Sequence, residues 1–357
     1  MTARLRIGVL TFHRCINYGS FWQARALVEG LRARGHDAEL LDHHCRKVTW
    51  AEWRCAFQPT LPRPTSRSEF PGYASKARRF LDAFSLLPQS RRFALEDPSA
   101  LDPYDVIVVG SDEVWNLRHP WYGGKPIFYG EGLPARRVIS YAASFGNHDA
   151  GEGLQADYAQ RLRGFHHISV RDENSRRHVQ QALGFDPALV LDPVLQFPEI
   201  GRKEPLLDRN RYLLLYGHGF SDEFLRQVRL AADAKGLRLV SIGYRNAVAD
   251  EQWIGAGPLE FARAVAGASA VATNFFHGCV FALLTGKPFV AASMPYRFHK
   301  LRDLAAAVGA THRLVGPEAS AGIVGELLSR PLDEATEQRV QELRSASTLY
   351  LDRALAA

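Results

Sequence analysis

The sequence contains no apolar run of the about 18–20 residues that a helix needs to cross a bilayer. Its first apolar stretch, Leu5–Leu10, is too short for the core of a secretory signal and reads as a buried strand. The expected location is the cytoplasm, with peripheral contact at the inner face of the membrane left open. Cysteine is scarce. Cys15, Cys45, Cys55 and Cys279 form no C-x-x-C pair, so neither a disulfide framework nor a zinc site is expected. His43-His44-Cys45 has no second ligand pair at zinc spacing and reads as an ordinary loop. No metal is expected. There is also no basic run interleaved with aromatics, which argues against nucleic acid as a partner.

What is present describes a globular chain: 357 residues, 46% hydrophobic and 23% charged, with a net charge of +6. That length suits two domains rather than one core. The positive balance favours anionic partners, and small phosphorylated ligands are the simplest of these.

Apolar runs alternate with helical periodicity along most of the chain. Leu5–Leu10 reads as a strand, Thr11–Ser20 as a polar loop and Phe21–Arg34 as a helix ended by Gly35, with a second strand from Ala38. This is one βαβ unit, which implies parallel strands and a right-handed crossover. The stretch holding Pro59, Pro62, Pro64 and Pro71 is expected to wander over the surface. Strands then recur at 106–109, 138–142, 167–170 and 189–191, and after residue 211 at 212–216, 237–242, 270–273 and 288–292, with a last helix near 333–355.

The pattern predicts an α/β protein of two Rossmann-like domains facing across a cleft: residues 1–200, residues 205–330, and a last helix over 331–357 that packs back on the first domain. The linker is expected between Pro198 and Arg211. In such sheets ligands bind at the carboxyl ends of the strands, which is where the polar and glycine-rich segments fall.

Three of these segments stand out. They are Thr11-Phe12-His13-Arg14 with Asn17-Tyr18-Gly19 and Gln23; Gly110-Ser111-Asp112-Glu113-Val114-Trp115-Asn116; and Thr273-Asn274-Phe275-Phe276-His277-Gly278 followed by Lys287-Pro288-Phe289. Val170-Arg171-Asp172-Glu173-Asn174-Ser175 and Leu191-Asp192-Pro193-Val194-Leu195 fit the same series. In order and spacing the five segments, from about residue 6 to 290, resemble the polysaccharide pyruvyl transferases. The resemblance implies a GT-B-like fold without a required metal or cofactor. It also implies transfer of the pyruvyl group of phosphoenolpyruvate, as co-substrate, onto two hydroxyls of a nucleotide- or lipid-linked sugar, giving a ketal and phosphate. Characterised members often carry Arg two residues before the histidine; this chain has Phe275, which offers no charge-assisted bond to an anion.

Ketal formation needs a proton for the donor methylene, a base for the attacking hydroxyl, and cations for phosphate and carboxylate. His277 is the candidate acid, the alternative being a buried helix-capping histidine. Asp112 is the candidate base, the alternative being a helix cap. For the donor the candidates are Arg171, His277, Gly278, Asn274 and Lys287, with Arg297 as a weaker cation; a salt bridge from Arg171 to Asp172 or Glu173 is its plainer role. For the acceptor they are His13, Arg14, Asn17, Tyr18, Gly19, Ser111 and Trp115, of which Trp115 either packs or stacks on a sugar. The same architecture also fits a glycosyltransferase, a natural-product transferase with another donor, or a non-catalytic binding protein.

Overall fold

The computed structural model describes residues 4–202, 211–293, 298–316 and 322–356. In the first half β1 (Arg6–Leu10), β2 (Asp37–Leu40), β3 (Tyr104–Val109) and β4 (Ala135–Ser140) form a parallel sheet in the order β2-β1-β3-β4. The short parallel pair β5 (Ser169–Val170) and β6 (Ala188–Leu189) continues its edge through bridges from Ile139 to His167 and from Ala143 to Val170. In the second half β7 (Tyr212–Tyr216), β8 (Arg238–Ile242), β9 (Glu251–Trp253), β10 (Ala270–Thr273), β11 (Phe289–Ala292) and β12 (Leu314–Val315) are all parallel, in the order β9-β8-β7-β10-β11-β12. The central strands are apolar on both faces: Ile7, Val9, Val106, Ile107, Val108 and Leu213 to Leu215 are fully buried. That pattern belongs to parallel sheets covered by helices on both sides.

Helices α1 (Tyr18–Ala33), α2 (Arg46–Phe57), α3 (Phe70–Ser85) and α4 (Glu173–Leu183) belong to the first half. Helices α5 (Asp222–Ala234), α6 (Pro258–Gly267), α7 (Phe276–Thr285) and α8 (Phe298–Ala307) belong to the second, and α9 (Glu334–Ala356) follows. Helix α1 starts three residues before the expected Phe21. Its cap is Asn17, whose Oδ1 accepts from the Gly19 and Ser20 amides at 2.8 and 3.2 Å. The surface excursion expected around the prolines is instead bracketed by α2 and α3, and Pro71 occupies the first turn of α3, where its missing N–H costs nothing.

The halves share one core. Tyr18 Oη donates to the Ala256 carbonyl at 2.6 Å, Trp22 Nε1 donates to the Pro258 carbonyl at 2.8 Å, and the Tyr18 ring stacks on Phe261 at 4.4 Å. Helix α9 lies against the first sheet: Tyr350 Oη donates to the Ser140 carbonyl at 2.7 Å, and Arg137 donates to the Ala354 carbonyl at 3.2 Å. The expected linker falls mostly outside the described residues; its first part, Pro198–Arg202, is a short helix. Among the described residues no helix is long and apolar enough to cross a membrane.

Candidate active site

The carboxyl ends of the two sheets face each other across a cleft of about 340 Å³. From the first half it receives the turns after β1, β3 and β5, and from the second those after β7, β8 and β10. A parallel sheet requires this placement, because every strand delivers its next turn to the same edge.

A connected set of polar side chains lies in the cleft. His277, the second residue of α7, puts Nε2 3.4 Å from Asp192 Oδ2. That separation is an ion-pair distance without an aligned hydrogen bond, and Nε2 has no hydrogen-bond partner. Arg171, just past β5, reaches the same Asp192 oxygen at 3.3 Å and Asp112 Oδ1 at 3.5 Å, and its guanidinium lies 4.9 Å from the centre of the Phe276 ring. Ser20 Oγ donates to Asp112 Oδ2 at 2.8 Å. Burial pushes the Asp192 carboxyl up, but the facing His277 and Arg171 outweigh it and hold the group below the usual carboxylate range. Asp192 therefore stays ionised at neutral pH. Lys300 from α8 pairs with Glu113 at the same mouth, and burial lowers its ammonium to about 8. Glu52 of α2 also lines the cleft, where burial raises its carboxyl to about 7.

Of the residues singled out from sequence, His277, Asp112, Arg171 and Asn17 line the cleft. Asp112 caps no helix: it sits at φ +77°, a left-handed conformation uncommon for a side-chain-bearing residue, with its Oδ1 accepting from the Glu113 amide. Arg171 pairs with Asp112 and Asp192, not with Asp172 or Glu173. His277 does not cap α7, whose N-cap is Phe275.

Other expectations are corrected. Ser111 is fully buried and donates to Gln23 Oε1 at 2.5 Å. Trp115 is fully buried against Tyr129, Phe145 and Phe165, with Nε1 donating to the Phe128 carbonyl, so it packs and offers no sugar platform. His13 is fully buried beside Asp42, and Arg14 is bound to Asp42 and Gln89; both brace the loop after β1. Tyr18 belongs to the seam between the halves. Gly19 is no flexible acceptor loop but part of α1, where a Cβ would stand 2.1 Å from His277 Nδ1. At Gly278 the close neighbour is Thr273, whose Oγ1 would lie 2.2 Å from an added Cβ. Asn274 is buried and donates to the His218 carbonyl at 2.8 Å, fastening the loop after β7. Lys287 follows the carboxyl end of α7, at the amino end of β11, the far edge of the sheet from the cleft. Arg297 lies outside the described residues. Among those described, no cluster of three or more His, Cys, Asp or Glu could hold a metal.

Sequence reasoning did not assign site positions to Asp192, which faces His277 and Arg171, or to Ser20, Lys300 and Lys76, which line the cleft. Asp192 carried a visible signal, an acid followed by proline at a strand end. The others sit on helices whose register alone does not tell the cleft side.

Two Rossmann-like domains with a cleft between their strand ends define a GT-B fold. One solved structure supports this fold: UDP-GlcNAc 2-epimerase from Neisseria meningitidis, bound to UDP-GlcNAc, is similar with a TM-score of 0.54 at 10% identity, covering 99% of this chain and 100% of that one. The UDP-GlcNAc 2-epimerase from Methanocaldococcus jannaschii gives 0.48 at 12% identity, covering 95% and 99%. CalG4, the calicheamicin glycosyltransferase, gives 0.45 at 15% identity, covering 97% and 95%. At such identities the likeness is one of fold. No curated protein matches the sequence. The family model of polysaccharide pyruvyl transferase matches residues 17–294, and the chain belongs to that family of transferases.

Proposed function

We propose that the protein moves the pyruvyl group of phosphoenolpyruvate onto two hydroxyls of a nucleotide- or lipid-linked sugar, releasing phosphate. The observation that carries this reading is the shared Asp192: it faces the His277 ring and the Arg171 guanidinium, and Arg171 extends to Asp112. A protonated His277 gives its proton to the methylene carbon, and C2 becomes electrophilic. The ionised Asp192 offsets the charge on the imidazolium that does this. One acceptor hydroxyl attacks C2 and gives its proton to Asp112. The second hydroxyl displaces phosphate and closes the ketal. Over the cycle one hydroxyl proton ends on the new methyl group and the other on phosphate. Arg171 holds donor oxygens. No cofactor is needed.

The family membership supports the reaction class, and the cleft volume suits a small anionic donor beside one sugar ring. The acceptor's membrane would be met by α2. Its outward face carries Trp50, 73% exposed, and Trp53, 37% exposed, beside Arg46, Lys47 and Arg54, while Glu52 on its other face lines the cleft. Tryptophan with flanking cations suits an anionic lipid surface. The test is phosphate release from phosphoenolpyruvate with a panel of UDP-sugars and lipid-linked sugar mimics. Release that depends on one acceptor supports the reading. A folded protein that releases none with any acceptor turns attention to a different donor, the reading that an uncharged Phe275 in the wall favours.

A further inference from the structure

Beside the acid-base cluster the cleft is lined by an aromatic wall. Phe275 lies 4.9 Å from Tyr216, 5.3 Å from Tyr244 and 5.6 Å from His218, ring centre to ring centre. To this wall α3 sends Lys76, which is 4% exposed and lines the cavity. Its ammonium has three donors. One reaches the Gly243 carbonyl at 3.2 Å; the remainder face the rings of Tyr18 and Tyr244, at 4.8 and 4.7 Å to their centres.

The other lysine and the arginine of the lining each face a carboxylate. Arg171 is held by Asp112 and Asp192, and Lys300 by Glu113. Among the described residues no carboxylate pairs with Lys76. Burial alone acts on its amine, bringing it down to about 7, with no acid opposing that shift. A buried ammonium at a cavity wall, met by one carbonyl and two ring faces but by no counter-charge, is costly to keep charged without a ligand. An incoming anion would remove that cost.

We propose that Lys76 is an anion-binding residue of the cleft, its ammonium taking a phosphate or carboxylate oxygen of a bound co-substrate at the aromatic wall. This rests on the transferase reading only in taking the anion to be a co-substrate. The oxygen belongs either to phosphoenolpyruvate or to the diphosphate of a nucleotide- or lipid-linked acceptor. Among the described residues Lys76 is the lysine or arginine that meets this wall, and the aromatic faces around it lower the local polarity.

The test is titration calorimetry of the full chain with phosphoenolpyruvate, inorganic phosphate and UDP, for wild type, Lys76→Met and Lys76→Arg. Met keeps the stem and its packing, and a melting curve verifies the fold. The expected result is a loss of about tenfold or more in affinity for the recognised anion in Lys76→Met, with most of it recovered in Lys76→Arg. Near pH 8 wild type should also take up a proton on binding, seen as a heat that varies with the buffer's ionisation enthalpy, and Lys76→Met should not. Among the described residues the rings of Tyr18 and Tyr244 face the amine. Burial raises the Tyr18 phenol well above its ordinary value, so it holds its proton at this pH.

Loss confined to phosphoenolpyruvate assigns the oxygen to the donor; loss confined to UDP assigns it to the acceptor. Equal affinity of Lys76→Met for every probe, or no binding of any probe by wild type, overturns the proposal. Wild type that binds UDP through Lys76 but neither binds phosphoenolpyruvate nor releases phosphate from it defeats the pyruvyl reading and leaves this site standing.

Discussion

Gly19 and His277 meet at the floor of the cleft, where a single methyl decides the ring's position. An added Cβ on Gly19 would stand 2.1 Å from His277 Nδ1, so the ring must leave its present place beside Asp192. Within α1 the change to alanine by itself favours the helix. Gly19→Ala should therefore leave the melting temperature nearly unchanged while turnover drops by roughly 100-fold, the scale of a misplaced catalytic group. Steady-state kinetics beside a melting curve checks both; full turnover would remove His277 from the mechanism. Lys76 makes a second prediction, about stability. Burial lowers its folded amine to about 7 from an ordinary value of 10.5, so between those values the unfolded chain binds more protons than the folded one. The penalty of burying the charge is complete below about pH 7, falls as pH rises through this window, and vanishes above it. Lys76→Met should thus raise the melting temperature by several degrees at pH 6–7, and by progressively less towards pH 10. A pH-independent difference would contradict the assignment of an unpaired buried ammonium.

At the scale of elements, the parallel strands and their polar carboxyl ends were legible because buried strands are apolar runs and each ends in a chemically distinct turn. Asp112, Arg171 and His277 follow from that logic, and the cleft collects all three. The neighbouring motif residues Ser111, Trp115 and His13 did not behave as their positions suggested. Next to a functional side chain, the alternate residue of a strand end points inward, and there it braces the turn: Thr11, Gln23 and Ser111 form one buried hydrogen-bond network. Helices α2 and α3 escaped notice for another reason. Prolines between and within them mask a helical period, and Lys76 reads as a solvated residue until α3 is docked. The outward face of α2 yields a prediction of its own. Replacing Trp50 and Trp53 together by glutamate should abolish flotation with vesicles containing anionic phospholipid, leave the melting temperature within a degree or two, and spare turnover on a water-soluble acceptor. Wild type that fails to float, or a double variant that floats equally well, would remove the membrane from the account of this face.

On the scale of the whole molecule, the halves exchange helices. From the first half α3 reaches over the seam, where Lys76 donates to the Gly243 carbonyl and Arg79 pairs with Glu260 of α6 at 2.8 Å. Returning from the second half, α9 fills the back of the first sheet with Leu351 and Ala354, both fully buried, and Ser347 Oγ accepts from the Leu191 amide at 2.9 Å. One apolar cluster runs through both halves, from Ile7 and Tyr18 to Phe261 and Leu355. Neither half can unfold without exposing part of that cluster, and burial of apolar area is the dominant favourable contribution to folding. The chain should accordingly melt as one cooperative unit, with calorimetric and van't Hoff enthalpies equal within error. A ligand gripped from both sides of the cleft should move the single transition upward without splitting it, since it binds only the state in which the halves are docked. Two resolved transitions, only one of them shifted by ligand, would instead describe two independent domains joined by a linker, and would require α3 and α9 to detach before either core gives way.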